Sequence, residues 1–261
     1  MRTGYVLSAF DMVNVRDLDV VQQAAEGVDR VEARVLSDDA IFGATGRVPV
    51  IPAAERVEIV GSIRDVNVAA IFNPADPLKR TSNDVIFGRT DVGLGSVPVN
   101  RWLKPRAVGR VADDIGRISV MPTADGVVGY VPGAWDMFHI GHLNILKRAR
   151  RNCTRLVVGV VTDEALFHAK GKYPIVPLAE RMEVVAAMDA VDAVVVNFSS
   201  SKLDVWERVH FDVLFKGDDW RGTPKGDQLE SEMSSVGAAV HYFPYTAHTS
   251  STALRQILAT R

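Results

Sequence analysis

Cysteine and long hydrophobic runs are scarce in this sequence. The chain of 261 residues contains one cysteine, Cys153, which excludes an internal disulfide framework and fits a reducing compartment. Its apolar runs have the length of strands, and none approaches the roughly 20 residues that cross a membrane. No long apolar stretch precedes Asp11, so we expect no secretory signal, no membrane insertion and a cytoplasmic protein.

An excess of basic charge is also missing. Lysine and arginine number 30 against 32 aspartate and glutamate residues, which gives a net charge of −2. Neutralising the phosphates of a nucleic acid needs a basic surface, so we expect no nucleic acid partner. The composition is otherwise that of an ordinary globular protein. It leaves room for a local basic pocket that binds a small phosphorylated molecule.

The chain contains one pattern twice. Residues 4–72 align without a gap on residues 129–197, a shift of 125 positions, and roughly a third of the aligned residues are identical. We therefore predict two domains of similar fold, 1–125 and 126–261, and we call these ranges the first and second half. Their junction near 123–126 is a short Asp-Gly turn rather than a flexible linker, so we expect the two domains to pack together.

Each half alternates valine-rich runs with helical patterns, as parallel βαβ units do. Five such strands predict an α/β fold of two tandem, Rossmann-like, doubly wound parallel sheets with ligands at the carboxyl ends of the strands. The predicted strands of the second half are 127–132, 156–161, 193–197, 212–216 and 239–243. Its predicted helices lie near 142–151, 178–189, 202–209, 228–236 and 251–259. In the first half, the predicted strands are 4–9, 31–36 and 67–72.

The main chemical signal is His139-Ile140-Gly141-His142, which follows the first strand of the second half and begins a helix. Gly141 lets a ligand approach the backbone, and a helix N-terminus offers free amides to an anion. Two imidazoles three positions apart can face one phosphate and stabilise charge during its transfer. For the motif alone, a core histidine with a chance neighbour is an equal alternative. The first half reads Asn14-Val15-Arg16-Asp17 here, so we expect only the second half to be catalytic.

Two lysines flank a glycine farther along, at Lys170-Gly171-Lys172. In an extended chain both would point the same way, as binding of phosphate oxygens requires. A solvated basic loop is the ordinary alternative. The first half reads Thr45-Gly46-Arg47 at this place, which keeps the glycine and loses the first lysine. The difference favours a functional role for the two lysines.

Two later segments are further candidates. Gly217-Asp218-Asp219-Trp220 follows the strand at 212–216, where Asp218 or Asp219 could bind Mg²⁺ or a substrate hydroxyl and Trp220 could pack on a base or ribose. A tight turn with a surface tryptophan is the alternative. Thr249-Ser250-Ser251-Thr252 caps the last helix and could also bind a phosphate. Arg181 recurs as Arg56 in the first half, so a structural salt bridge is at least as plausible as a ligand contact.

In this order the motifs resemble the cytidylyltransferase branch of the HxGH nucleotidyltransferases, and within it glycerol-3-phosphate cytidylyltransferase. The resemblance spans residues 127–259. It implies that His139, His142, Lys170 and Lys172 are catalytic and contact the triphosphate. It further implies nucleotide contacts for Gly133, Ala134, Trp135, Gly141, Gly217, Asp218, Ser250, Ser251 and Thr252. Contacts with the second substrate are implied for Asp136, Asp192, Asp219, Trp220, Tyr245 and His248.

The chain departs from that family in places that concern the substrates. The family's Arg-Thr-Glu-Gly is Tyr245-Thr246-Ala247-His248 here, so Tyr245 or His248 would replace an arginine that contacts phosphate. Its Gly-Thr-Phe-Asp is Gly133-Ala134-Trp135-Asp136, which removes a hydroxyl. The run Pro177-Leu178-x-Glu180-Arg181-Met182 resembles heptose-phosphate adenylyltransferases, which leaves the base open.

The resemblance implies transfer of CMP from CTP to a phosphorylated alcohol, with glycerol 3-phosphate as the default acceptor and Mg²⁺ as the cofactor. No protein ligand for the metal is assigned. The alternatives are an adenylyltransferase acting on a sugar or cofactor phosphate, a non-enzymatic nucleotide sensor or scaffold, and a fragment of a class I aminoacyl-tRNA synthetase. The tandem layout resembles ethanolamine-phosphate cytidylyltransferase. We therefore expect the first half to be a catalytically silent partner in an intramolecular pseudo-dimer, with a homodimer also open.

Overall fold

A computed structural model describes residues 1–76, 78–89, 99–104, 126–199, 201–244 and 249–260. The chain divides into two compact units, Met1–Val108 together with Thr249–Arg261, and Gly109–His248. Residues 123–125 of the predicted junction lie outside the described residues. The C-terminal segment groups with the first unit, whereas the sequence placed it in the second domain. The roles of the two domains stay a prediction.

The first unit contains a parallel sheet of five strands. Its elements are β1 (Thr3–Ser8), α1 (Val15–Ala25), β2 (Arg30–Leu36), α2 (Asp38–Thr45), α3 (Ala53–Val60), β3 (Val68–Phe72), β4 (Val85–Arg89) and β5 (Arg101–Leu103). The strand order is β3-β2-β1-β4-β5. β1, β2 and β3 confirm the three strands that the sequence predicted in this half.

The second unit contains a second parallel sheet of five strands. Its elements are β6 (Val128–Gly133), α4 (Ile140–Arg150), β7 (Arg155–Val161), α5 (Asp163–Lys170), α6 (Leu178–Ala186), β8 (Ala193–Asn197), α7 (Leu203–Val209), β9 (Val213–Gly217), α8 (Pro224–Ser235) and β10 (Ala239–Phe243). The strand order is β10-β9-β6-β7-β8, which has the same connectivity as the first sheet. The last helix, α9 (Ser251–Ala259), belongs to the first unit. The α/β, Rossmann-like class is confirmed, and the packing of one sheet on the other stays a prediction.

Burial explains why the central strands were readable from sequence. β6 and β7 are buried on both faces, so their sequences are continuous apolar runs instead of alternating ones. Tyr130 of β6 stacks on Phe211 with ring centroids 4.8 Å apart, inside a core that also contains Leu214 and Met233. No helix in the described part of the chain is both long and apolar enough to cross a membrane.

Helix α5 was not among the predicted helices. It has eight residues, and Leu166 is its one buried side chain, so it lacks a periodic apolar face. Its ends are nevertheless marked in the sequence. The Thr162 side chain accepts a hydrogen bond from the N–H of Ala165, and Gly171 ends the helix in the left-handed conformation. These capping signals, rather than periodicity, could have identified it.

A buried arginine organises the carboxyl edge of each sheet. Arg56 and Arg181 are 0% and 1% exposed, and each donates to three backbone carbonyls and one carboxylate. The partners of Arg181 are the carbonyls of Ala134, Val161 and Val176 and the carboxylate of Asp163. The partners of Arg56 stand 125 positions earlier, at Ala9, Leu36, Ile51 and Asp38. The salt-bridge prediction for Arg181 is confirmed, and the duplication extends to individual hydrogen bonds.

Replacing Arg181 by alanine should destabilise the second unit by about 3 kcal/mol or more, because it leaves three buried carbonyls and a partly buried carboxylate without their donor. Arg56→Ala should destabilise the first unit by a similar amount. Urea unfolding followed by circular dichroism measures both, with the exposed Lys225→Ala as the control. A small loss in either variant would contradict this account of the edge.

Candidate active site

The loop between β6 and α4 has unusual backbone angles next to the histidines. Trp135 and Met137 have φ of +58° and +51°, which residues other than glycine seldom adopt. Trp135 is buried, and its indole N–H donates to the carbonyl of Gly159 at 2.9 Å. A Cβ at Gly133 would lie 2.7 Å from the Trp135 ring, so glycine is needed there. Gly133 and Trp135, predicted as nucleotide contacts, therefore fix the loop that leads to His139.

The structure brings His139 and His142 together at the N-terminus of α4. Their rings stack with centroids 3.8 Å apart. His139 is the N-cap, and its Nδ1 accepts a hydrogen bond from the backbone N–H of Gly141 at 3.1 Å. A neutral His139 therefore carries its proton on Nε2. Nδ1 of His142 is buried and has no hydrogen-bond partner among the described residues. The catalytic role of the pair stays a prediction.

Burial decides the charge of the two rings. It lowers the pKa of His139 to about 4. The pKa of His142 lies well below its usual value because of burial first, and then because of His139 and the positive charge of Lys170. Both rings are thus neutral at pH 7. They can donate N–H groups to phosphate oxygens, while fixed positive charge has to come from lysines.

The two predicted lysines do not lie in extended chain. Lys170 is the last residue of α5, and Gly171 follows it with φ of +67°. The predicted extended geometry is therefore wrong, because a left-handed glycine turns the chain between the lysines. Lys170 and Lys172 are both exposed. The charge of Lys170 acts on His142, which connects this loop electrostatically with the histidine pair.

β9 ends beside β6 at the same edge of the sheet, and a 3-10 turn follows at Asp218–Trp220. Asp218 and Asp219 are exposed, and Trp220 is partly buried. The ammonium nitrogen of Lys216 lies 4.0 Å from the centre of the Trp220 ring. Lys216 was not among the site residues predicted from the sequence. A lysine at the end of an otherwise apolar strand, directly before Gly217, is the signal that could have found it.

Two predicted substrate contacts have backbone partners. The carboxylate of Asp136 is buried and accepts hydrogen bonds from the N–H groups of Ile175 and Val176 at 2.9 to 3.1 Å. Asp192 precedes β8 and accepts from the N–H of Leu156 at 2.7 Å. It lies at the amino edge of the sheet, whereas ligands of such sheets bind at the carboxyl edge. Substrate contact by Asp136 and Asp192 stays a prediction.

The predicted phosphate contacts at 250–252 belong to the segment that groups with the first unit. Ser250 caps α9 by accepting a hydrogen bond from the N–H of Ala253 at 3.2 Å, which confirms the capping prediction. The Thr249 hydroxyl donates to the Glu55 carboxylate at 2.6 Å, within the first unit. Phosphate binding by Ser250, Ser251 and Thr252 stays a prediction. Tyr245 and His248 lie outside the described residues.

The first unit has a buried ion pair at the place where the second unit has His142. Asp17 takes the place of His142, is buried, and pairs with the buried Arg89 at the end of β4. Its carboxylate also accepts from the N–H of Asn14 at 3.2 Å and the hydroxyl of Ser8 at 3.4 Å. The ion pair occupies these positions and lacks the imidazole groups of the second unit.

Comparison with known proteins agrees with the geometry of the second unit. The sequence pattern of the cytidylyltransferase-like family matches residues 130–257. Residues 130–257 belong to this family. The matched range begins in β6 and ends in α9, so it includes the histidine pair, both loop lysines and the turn after β9. The cytidylyltransferase-like region is thus of the nucleotidyltransferase type.

Curated relatives match parts of this chain that differ in length. Bifunctional protein HldE from Halorhodospira halophila is 29% identical over 221 residues, which cover 82% of this chain and 45% of that protein. The protein of the same name from Koribacter versatilis is 37% identical over 123 residues, 47% of this chain and 25% of that one. Among solved structures, the lipopolysaccharide core biosynthesis protein from Thermoplasma volcanium is 22% identical. The match covers 48% of this chain and 100% of that protein, with a TM-score of 0.42. This likeness is too distant to bear on function. The chain spans less than half the length of the two HldE proteins.

The low pKa of His139 predicts a pH-dependent stability. Between pH 6.5 and about 4 the unfolded chain binds a proton at this residue and the folded chain does not, so stability falls as the pH falls. His139→Asn keeps a helix cap, as Asn14 does in the first unit, and removes the titration. Wild type should lose about 2–3 kcal/mol more than the variant between pH 7.5 and 4.5. Urea unfolding across this range measures the difference, and equal pH dependence would contradict the buried neutral state.

Proposed function

We propose that the cytidylyltransferase-like region transfers a nucleotidyl group from a nucleoside triphosphate to a sugar phosphate, with release of pyrophosphate. The observation that supports this most is the stacked pair of His139 and His142 at the N-terminus of α4. Helix amides and imidazole N–H groups converge there, and Lys170 adds positive charge. Such a set suits a polyphosphate whose charge shifts during transfer.

In the proposed reaction an oxygen of the acceptor phosphate attacks the α-phosphorus of the triphosphate. The new O–P bond forms as the bond from the α-phosphorus to the bridging oxygen breaks, and pyrophosphate leaves with that electron pair. His139 and His142 would donate hydrogen bonds to oxygens of the five-coordinate phosphorus. Lys170 and Lys172 would neutralise the triphosphate. Positioning and electrostatic stabilisation supply most of the catalysis in such transfers.

Mg²⁺ belongs to the proposal as a partner of the nucleotide. Bound to the β and γ oxygens, it would neutralise charge and help pyrophosphate leave. It prefers phosphate oxygens and water, with few protein ligands. Within the described residues, no group of three or more histidine, cysteine, aspartate or glutamate side chains could hold a metal. We therefore assign no residue of the chain as its ligand.

Two observations favour a sugar phosphate as the acceptor and ATP as the donor. The run Pro177-Leu178-x-Glu180-Arg181-Met182 resembles heptose-phosphate adenylyltransferases. The relatives described above are bifunctional HldE proteins and not glycerol-3-phosphate cytidylyltransferases. The sugar-phosphate reaction is thus preferred over the CTP reaction that the motif order first indicated.

Transfer of CMP to glycerol 3-phosphate is the second candidate. It is favoured by Gly217-Asp218-Asp219-Trp220, a segment that matches glycerol-3-phosphate cytidylyltransferase and stands at the carboxyl edge of the sheet. Asp219 and Trp220 would contact the acceptor in this reaction. The two candidates share the chemistry at phosphorus and differ in the base and in the alcohol.

We further propose that the first half is catalytically silent and supports the second as an intramolecular partner. The ion pair between Asp17 and Arg89 supports the silent role, because it occupies the place of His142. The retained arginine network around Arg56 supports a conserved architecture without the chemistry. A homodimer of the whole chain is compatible with this proposal.

The first experiment crosses ATP, CTP, GTP and UTP with phosphorylated sugars and phospho-alcohols in the presence of Mg²⁺ and follows pyrophosphate release. Turnover with ATP and a sugar phosphate is expected. Turnover with CTP and glycerol 3-phosphate alone would replace the preferred reaction by the second candidate. No release with any pair would contradict the enzymatic proposal.

His142→Ala should lower kcat by about 10²–10³, the usual loss when one preorganised contact with a transition state is removed. Lys225→Ala, an exposed residue on α8 of the same unit, is the control, and this variant should keep turnover close to wild type. Steady-state kinetics of both variants, each with its folding verified by circular dichroism, make the test. Near-normal turnover in His142→Ala would rule out the proposed role of this histidine.

A further inference from the structure

Lys216 is a partly buried lysine at the carboxyl edge of the second sheet. The proposed reaction assigns it no role. Lys216 stands one residue before the end of β9, the strand next to β6, so it shares the carboxyl edge with the histidine loop. Its ammonium nitrogen lies over Trp220 at 4.0 Å from the ring centre. The side chain is only partly exposed. Packing on an aromatic face holds the ammonium in one position without neutralising it.

The first unit has no lysine at the equivalent position. Asp84 accepts a hydrogen bond from Thr3 N–H at 3.0 Å, and Asp212 accepts one from Val128 N–H at 2.7 Å, so the two aspartates anchor equivalent strands. Counting four residues from each aspartate pairs Gly88 with Lys216. The neighbouring cation of the first unit, Arg89, is neutralised by Asp17. The second unit therefore carries an additional positive charge where its catalytic motifs are also present.

Two other lysines act electrostatically on Lys216. Burial is the main cause that lowers its pKa to about 8, and the charges of Lys202 at the start of α7 and Lys170 at the end of α5 contribute to this shift. The charge of Asp219, in the turn after β9, raises the pKa of Lys216. Lys216 forms no ion pair among the described residues, and the exposed Asp219 compensates only part of this charge. An anion placed among these ammonium groups would relieve their repulsion.

We infer that the ammonium of Lys216 binds the phosphate group of the acceptor substrate. In the proposed reaction the histidines and the N-terminus of α4 bind the triphosphate next to β6. Lys216 lies on the neighbouring strand β9, beside Trp220 and Asp219. A phosphate monoester bound there would be held next to the attacked phosphorus, with Trp220 available to the rest of the acceptor. The inference rests on the proposed function, because it names the site of that reaction's second substrate.

The kinetic test compares Lys216→Met, which keeps the shape of the side chain and removes its charge, with Lys216→Arg and with Lys225→Met. Lys225 is exposed on α8 of the same unit and is the control. Lys216→Met should raise the KM for the acceptor about tenfold or more, the loss expected for one charge-assisted contact. The KM for the triphosphate should stay unchanged, and Lys216→Arg should restore most of the loss. A higher KM for the triphosphate alone, or unchanged kinetics, would overturn the inference.

A binding test separates this inference from the proposed reaction. Inorganic phosphate is titrated by calorimetry into the full-length chain and the same three variants. Weaker binding in Lys216→Met, with wild-type binding in Lys225→Met, supports the phosphate site even if no donor and acceptor pair gives turnover, a result that would contradict the reaction alone. Equal phosphate binding in Lys216→Met and wild type, with turnover present, would overturn the inference and leave the reaction in place.

Discussion

The carboxyl edge of the second unit depends on the hydrogen bonds of the buried Arg181 guanidinium. It binds carbonyls at the ends of β6 and β7 and in the segment before α6, and it pairs with Asp163 at the start of α5. A charge this deeply buried is tolerated only because its donors are satisfied. The histidine loop begins at Ala134, one of its partners, and Lys170 ends the helix that begins at Asp163. The candidate site is therefore built around one buried cation whose hydrogen bonds go to the protein itself.

The first unit has the same arginine network but different side chains at the place of the histidine pair. Arg56 makes the corresponding contacts, yet Asp17 and Arg89 form a closed ion pair where the second unit has His142 and the end of β9. In the second unit the two histidines are neutral, and Lys216 packs on the Trp220 ring. The two frameworks thus differ at this place, where one has a closed ion pair and the other has two imidazoles, and this difference fits the proposal of one silent and one catalytic half.

The sequence predicted the strands well and the loops less well, for physical reasons. β6 and β7 are buried on both faces, which leaves a strong apolar signal. α5 has one buried side chain and was missed. The family resemblance implied substrate contacts for Asp136 and Asp192, and the structure adds that both carboxylates accept hydrogen bonds from backbone N–H groups. The duplication also indicates a structural role for Asp136. This residue recurs as Asp11 in the half without the histidines, and Asp11 likewise accepts hydrogen bonds from backbone N–H groups.

By itself the sequence determined that the fold occurs twice, that each copy is a parallel α/β sheet, and that the HxGH motif occurs only in the second. Periodicity, repeats and residue identity are properties of the chain, so they can be read without coordinates. Only the tertiary structure decided that the two imidazoles are buried and neutral, that Gly171 turns the chain between the lysines, and that Lys216 lies over Trp220 at the same edge. Protonation and contact depend on what surrounds a side chain, and those neighbours come from distant parts of the sequence.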